Sequence, residues 1–426
     1  MKVKQADGSL KEEALVLRRS IHGPVVEKNG KTFSIRVAGL TVASFGGALQ
    51  QCWDMARAGN LTEFQAAVKR QQLPMFNVIY ADRDGHIMEV FNGHVPVRSK
   101  GDVKFWSGMV PGDSSALLWT GIHPYEDLPR AIDPPCGWVQ SSNGVPWYMT
   151  DPPLNPDSYP AYMAPRSTWV VGIFREQRGI RMIKQDGKIS FEKLIEDKHS
   201  THCELADRIL DDLITAANQY GNERAKKAAQ VLQHWDREFN ADSRGAALFT
   251  LWVMRLQNPL DLLAVPFDPR QPLDTPRGLK DAPAAVAALE RAAAQLELAF
   301  GKIDVEWGEV FRFRRGSIDL PANGGLGGLG VFRNMVPAPS VDRRYEAASG
   351  DTFVAVVEFA RPLKARVIMT YGNSSNPTSS HFGDQLALAA KKQMRNAWRT
   401  RAELEGNLEA RTTFGAQGAV GTSHVR

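Results

Sequence analysis

The stretch Cys136-Gly137-Trp138-Val139-Gln140-Ser141-Ser142-Asn143-Gly144-Val145-Pro146-Trp147 decides how this sequence is read. Its pattern predicts a short strand, Trp138 to Gln140, that ends at an asparagine beside a glycine, followed by proline and an aromatic. An asparagine amide held at a strand end can donate to an oxygen that becomes negative during acyl transfer, an interaction worth ~3 kcal/mol. Asn-Gly is also a common turn. The residues alone leave both readings open.

Outward from this stretch, residues 111–165 are rich in Pro, Gly, Trp and Tyr with little helical period. A long irregular segment in a compact protein is usually functional or disordered. Trp119, Trp138, Trp147, Tyr148, Tyr159 and Tyr162 argue against disorder, so an ordered pocket wall is expected. Upstream, Glu13 to Arg19, Val25-Val26 and Phe33 to Val37 read as strands, and Asn29-Gly30 is a hairpin signal because both residues accept positive φ. Leu49 to Arg57 and Leu61 to Arg70 read as helices, the second with Asn60 as N-cap and Glu63 three residues on. Phe76 to Tyr80 and His86 to Phe91 bracket the turn Asp82-Arg83-Asp84-Gly85 as a second hairpin. The other ligands of an EF-hand are missing there, so it reads as a solvated turn.

Downstream, Leu194 to Ala217 predicts one helix, with Leu205, Ile209, Leu210, Leu213 and Ile214 as its apolar stripe. Ala225 to Trp235 and Ala284 to Phe300 predict two more. His199 and His202, three apart before Cys203, would share a helical face, yet no partner pair appears and no metal site is read. Asn323-Gly324-Gly325-Leu326-Gly327-Gly328-Leu329-Gly330 lacks the Lys-Ser/Thr and the following helix of a phosphate loop and reads as a flexible or turn-rich connection. Strands are expected at Val310 to Arg314, Phe353 to Phe359 and Arg366 to Thr370, a last helix at Leu386 to Glu405, and a frayed tail after Arg411. The division expected is 1–185 with the 136–147 stretch, 186–302 mainly helical, and 303–426 strands and a terminal helix.

Composition narrows the classes. Of 426 residues 43% are apolar and 23% charged, which requires a substantial core. The 52 basic residues stand against 47 acidic ones without clustering, so no basic stripe for nucleic acid is present. The three cysteines are far apart and odd in number, neither demanding nor excluding a disulfide. No stretch approaches the ~18 apolar residues of a membrane helix, and no apolar run follows the first lysines. A cytoplasmic location is the expectation only if Met1 is the true start.

The order and spacing of several motifs together resemble the penicillin acylase family, which includes cephalosporin, aculeacin and acyl-homoserine-lactone acylases. They run from Arg18-Arg19-Ser20-Ile21-His22-Gly23-Pro24-Val25 through Asn77-Val78-Ile79-Tyr80-Ala81-Asp82 and Asn92-Gly93-His94-Val95-Pro96-Val97-Arg98. Trp106, Gly108 and Val110-Pro111-Gly112-Asp113 follow, then Gln140 to Trp147, and finally Gly372-Asn373-Ser374-Ser375-Asn376-Pro377 with His381 and Asp384-Gln385. The resemblance implies an α+β fold, a partial N-terminal-nucleophile-hydrolase αββα core with a helical insertion, and an amide hydrolase that takes an acyl group off an amine such as a β-lactam nucleus or homoserine lactone. It needs no cofactor.

By the resemblance, Asn143 is the oxyanion-hole residue. The family's supporting arginine maps by spacing to Arg166, and Trp138, Trp147 and Tyr148 are expected to contribute to an apolar acyl pocket. In the family a serine freed by self-cleavage attacks the amide, its own α-amino group serving as base. That serine lies well upstream of the Arg-Ser-x-His-Gly-Pro motif, and 17 residues precede Arg18. No nucleophile is therefore expected in this chain. Ser9 follows Gly8, but its surroundings do not resemble the cleavage site. The expected partners are a small acyl-amide substrate and a missing N-terminal, α-subunit portion. The complete protein would be periplasmic or extracellular. A non-catalytic fragment or partner subunit is the alternative. Ser141, where Asn is frequent, and Gly144-Val145, where Asp-Pro is common, depart from the family pattern.

Overall fold

Asn29 and Gly30 adopt φ of 53° and 70°, the doubly positive turn that closes a two-residue hairpin with the twist of its strands. Gly23–Lys28 and Lys31–Ser34 pair across it in register Lys28↔Lys31 to Val25↔Ser34. The computed structural model describes residues 1–14, 16–39, 42–166, 173–256, 262–414 and 420–424. They form two compact units, one of residues 1–180 with 267–272, the other of 181–266 with 273–426.

In the first unit the second hairpin is the scaffold. Met75–Ala81 pairs with Ile87–Gly93 from Met75↔Gly93 to Ala81↔Ile87, and Arg130–Ile132 adds to the far side of Ile87–Gly93. The central strand is therefore Ile87–Gly93. Alternation sends Val78, Met88 and Val90 to one face, where they pack with Leu61, Phe64, Val68, Tyr125, Leu128 and Met163. Each such side chain removed from water contributes ~1.5–3 kcal/mol. Asn77 and Glu89 occupy the opposite face. The helix Leu61–Val68 starts where Asn60 caps it: Asn60 Oδ1 accepts from Glu63 N at 3.0 Å, and Glu63 accepts from Gly59 N at 2.8 Å.

Around the Asp82 turn, Asp82 accepts from the amides of Asp84 and His86 and from Tyr80 Oη. These bonds organise a solvated turn, as expected. The irregular stretch is ordered by short 3-10 turns at Ser115–Leu117, Tyr125–Asp127, Pro146–Tyr148 and Pro156–Ser158. Two strand expectations fail here. Between Glu13 and Arg19 only Arg19 enters a strand, Arg19–Ser20; Val16 and Leu17 are exposed, having no sheet face to cover them, and Leu15 lies outside the described residues. Trp138 to Gln140 forms no ladder among the described residues; its backbone tie in the loop is Gln140 N to Met149 O at 2.9 Å.

The second unit packs helices Glu204–Tyr220, Glu223–Gln233 and Ala282–Phe300 together, with Ala246–Met254 buried almost all round. The single helix expected over Leu194 to Ala217 is two, Phe191–Lys198 and Glu204–Tyr220. The break lies where distant groups outcompete the helical ladder. Cys203 N donates to Arg237 O, Phe239 N to Thr201 O, and the Thr201 hydroxyl to Glu238 Oε2 at 2.6 Å. As a result His199 and His202 do not share a helical face. His199 caps the first helix, with Nδ1 2.8 Å from Ile195 O, and His202 lies between Glu238 and Asp207.

The four-stranded sheet of this unit runs Ile318–Pro321, Phe311–Arg315, Tyr345–Gly350, Met335–Pro339. The glycine-rich connection is turn-rich, and its Gly324, Gly325 and Gly327 are buried. The last expected helix, Leu386 to Glu405, also divides: Leu386–Ala390, a strand Arg395–Asn396 paired with Arg366 and Val367, and Arg401–Gly406. Asn323 and Arg333, both buried, take the carbonyls of Ala389 and Ala390 and end the first piece. The architecture is thus α+β, built of helices and small, mostly antiparallel sheets.

Candidate oxyanion site

Asn143 sits at the tip of a loop closed by its own polar residues. Gln140 ties the loop twice, through its amide to Met149 O and through Nε2 to Tyr148 O at 2.9 Å. Ser142 Oγ donates to Gln140 Oε1 at 3.3 Å. Between these anchors the chain must reverse, and Asn143 takes φ 64°, a left-handed conformation that asparagine tolerates better than most side chains. Gly144 follows because a side chain has no room: a Cβ there would lie 2.3 Å from the carboxyl of Glu176.

The helix Ile173–Asp186 presents two adjacent side chains to this loop. Arg175 donates from Nη2 to Ser142 O at 2.7 Å, from Nε to the same oxygen at 3.2 Å, and from Nη2 to Asn143 Oδ1. A guanidinium has only donors, so it selects the oxygen of the carboxamide and turns its nitrogen outward. Asn143 is exposed, and among the described residues nothing accepts from its Nδ2. The result is a fixed N–H donor with no internal acceptor, the arrangement that stabilises a developing oxyanion.

Behind the loop the polar groups continue into the sheet. Asn77 Nδ2 donates to Ser141 Oγ at 2.7 Å, and Ser141 also bonds Glu89. Glu89 is 2% exposed and its Oε2 has no partner among the described residues. Burial pushes its carboxyl up to about 9, against the Ser141 bond that lowers it and with the nearby Glu176 adding to the rise. Glu176 is 4% exposed and bonded by Gln140 Nε2 at 3.4 Å; burial pushes it up to about 8, against that bond. Both groups are uncharged at neutral pH, because desolvation penalises the ionised form more than one bond to it offsets.

The other residues singled out in the sequence lie apart from this loop tip. Arg166 donates to Tyr159 O at 2.8 Å and sits 3.6 Å from Asp157; the arginine on Asn143 is Arg175. Trp147 is 1% exposed, its Nε1 donating to Pro165 O at 2.6 Å and its ring 5.5 Å from that of Tyr159. Tyr148 packs edge-on against Phe267. Both are core of the loop rather than lining of an open hollow, and Trp138 is half-buried. A hollow of about 620 Å³ with an apolar lining occurs elsewhere in the unit, bordered by Phe33, Ile35, Trp106, Met109, Leu117 and Trp119. Ser9 is exposed and bonded to Asp7. Among the described residues no cluster of three or more potential ligands could hold a metal, and no helix is long and apolar enough to cross a membrane. Sequence reasoning missed Arg175, Glu176 and Glu89. Two adjacent charges after Phe174 look like any solvated helix face until the helix is placed.

The chain matches the penicillin amidase family over residues 1–406. An acyl-homoserine lactone acylase PvdQ of Pseudomonas syringae pv. syringae is 28% identical over 433 residues, covering 92% of this chain and 54% of that protein. Aculeacin-A acylase of Actinoplanes utahensis is 24% identical, covering 79% of this chain and 47% of its own length. The chain therefore spans about half the length of the curated relatives it matches. In structure it resembles a thermostable penicillin G acylase from Alcaligenes faecalis, with a TM-score of 0.60 at 18% identity, covering 98% of this chain and 81% of that one.

Proposed function

This chain belongs to the penicillin amidase family, and from that premise we propose that it carries the oxyanion-stabilising part of an amide hydrolase that removes an acyl group from a small amine. The observation that carries this reading is the Asn143 amide, its oxygen held by Arg175 and its N–H turned outward. In the proposed reaction a serine oxygen attacks the amide carbon, and the carbonyl oxygen becomes an oxyanion. Asn143 Nδ2–H donates to that oxygen more strongly in the transition state than in the substrate, which is what accelerates the step. Arg175 is a positioning residue: it touches Asn143 and keeps its amide from flipping.

The attacking serine, in this reading, comes from the part of the protein that the relatives possess beyond the matched half. The serines of the loop are poorly suited, since Ser141 is held by Asn77 and Ser142 is buried. The free edge of Met75–Ala81 supports a partner segment as well. It is the outer strand of its sheet, and Met75, Phe76 and Ile79 on it are exposed. Such an edge is a template for further strands. The names of the relatives favour an acyl-homoserine lactone or an aculeacin-type amide as substrate; the periplasmic or extracellular location is what the family resemblance implies for the complete protein. The test is Asn143→Ala in the full-length protein: kcat for an N-acyl amide falls ~10²–10³-fold with KM little changed. Undiminished turnover removes Asn143 from the site, and absence of hydrolysis in the unmutated, full-length protein leaves the non-catalytic partner subunit as the reading.

A further inference from the structure

Glu176 and Glu89 lie beneath the Asn143 loop, and no basic side chain pairs with either among the described residues. The mechanism above uses neither. Two buried carboxyl groups without a counter-ion are costly to keep. Their position shows what one of them holds.

We infer that the Glu176 carboxyl is a positioning group for Asn143, which packs under Gly144 and ties Gln140, and so holds the loop in the shape that presents the amide. The inference rests on the hydrolase reading for its effect on turnover, but the contact itself does not. The carboxyl lies so close to Gly144 Cα that a methyl there would sit 2.3 Å from it. Gln140, which it accepts from at 3.4 Å, is the residue that closes both ends of the loop. Adjacent side chains on a helix diverge by about 100°. Arg175 thereby reaches the carbonyl of Ser142 and the Asn143 oxygen, while its neighbour Glu176 reaches the floor of the same turn. The loop is pinched between two consecutive residues.

Ionisation of Glu176 would draw water toward a packed floor and set a charge against Gly144. The groups acting on it from other elements are Glu89 on the central strand, whose own ionisation opposes that of Glu176, and Tyr148 in the loop, pushed up to about 12 by burial and by Glu176. On its own helix Arg175 is engaged at Ser142 and Asn143, and Arg178 projects about 200° further round. The sign follows from the raised value. Glu176 is protonated below about 8 in the folded protein, so the loop is intact there and loosens as pH rises through that value.

The experiment uses the full-length, self-processed protein with Glu176→Gln, Glu176→Ala and the unmutated form. Glutamine imitates the protonated acid in size and hydrogen bonding. We expect kcat of the unmutated protein to fall as pH rises through about 8, and E176Q to remove that fall. E176A should lose ~10–100-fold in kcat at every pH with KM little changed, as a displaced donor does. Amide hydrogen exchange of the 138–149 peptide is followed at the same time. Relative to E176Q, exchange in the unmutated protein accelerates above pH ~8. An alkaline fall that persists unchanged in E176Q, or equal exchange in the two proteins at every pH, overturns the inference. If no amide is hydrolysed while exchange behaves as stated, the proposed function falls and the positioning role stands.

Discussion

Of the four Asn-Gly dipeptides in the sequence, those at 29–30 and 143–144 have an asparagine with positive φ, 53° and 64°. At the first site nothing lies within 4 Å of where a Cβ on Gly30 would be. At the second, the corresponding atom on Gly144 would lie 2.3 Å from Glu176. Asn29 closes a two-residue hairpin between exposed strands. Asn143 is gripped by a guanidinium above and underlain by a carboxyl below. Local conformational preference is the same in both. What separates a turn from a candidate catalytic group is the helix Ile173–Asp186, brought alongside only one of them.

The comparison can be broken by exchanging the roles of the two turns. The largest effect is expected from Asn143→Ala, the ~10²–10³-fold loss in kcat given above, against a stability change under ~1 kcal/mol and no change in kcat for Asn29→Ala. Equal kinetic effects from both would end the distinction. Next comes the arginine. Arg175→Ala frees the Asn143 amide to rotate and should lower kcat ~10–100-fold, whereas Arg166→Ala, tied among the described residues to Tyr159 and Asp157, should stay within ~3-fold. A larger loss in the second variant would restore the assignment made from spacing.

Glycine offers a test in stability. Gly144→Ala overpacks the carboxyl of Glu176 and should cost ~1–3 kcal/mol in urea unfolding, with kcat reduced as well. Gly30→Ala meets open space and bears only the left-handed backbone cost, ~1–2 kcal/mol, with kcat untouched. The smallest expected effect is a slope. Glu89 ionises near 4.5 when unfolded and near 9 when folded, raised first by burial. Its contribution to stability is full below the unfolded value and is lost as pH rises toward the folded one. Glu89→Gln removes that dependence, so unfolding free energy should decline less with pH across this window, by a fraction of the ~1.4 kcal/mol per pH unit that one proton allows. Equal slopes in the two proteins would mean that Glu89 titrates normally.

How much of this was legible depends on the range of the forces involved. The two hairpins and the Asn60 cap were readable because turn chemistry and capping act within four residues. The helix at 282–300 was readable from its apolar period within a turn at each end, whereas that at 204–220 was readable in its apolar stripe and its end but not in its start, which was expected at Leu194. The break at 199–203 was not: it is made by Arg237, Glu238 and Asn240, more than thirty residues on. The break after Ala390 comes likewise from Asn323 and Arg333. Arg166 was chosen by counting from Asn143, which holds only where the intervening loop keeps its length. Here the guanidinium that arrives is on the following helix.

The sequence by itself determined the family, the α+β class and the asparagine around which the candidate site is built, because ordered motifs and short-range turn chemistry are written residue by residue. It did not determine what holds that asparagine. Arg175, Glu176 and Glu89 carry charges that solution chemistry would leave ionised and unremarked. Only the tertiary structure buried the two acids, where desolvation outweighs their few hydrogen bonds, and set the arginine against an amide oxygen. Burial and approach are properties of the packed chain, and no local pattern in the sequence encodes them.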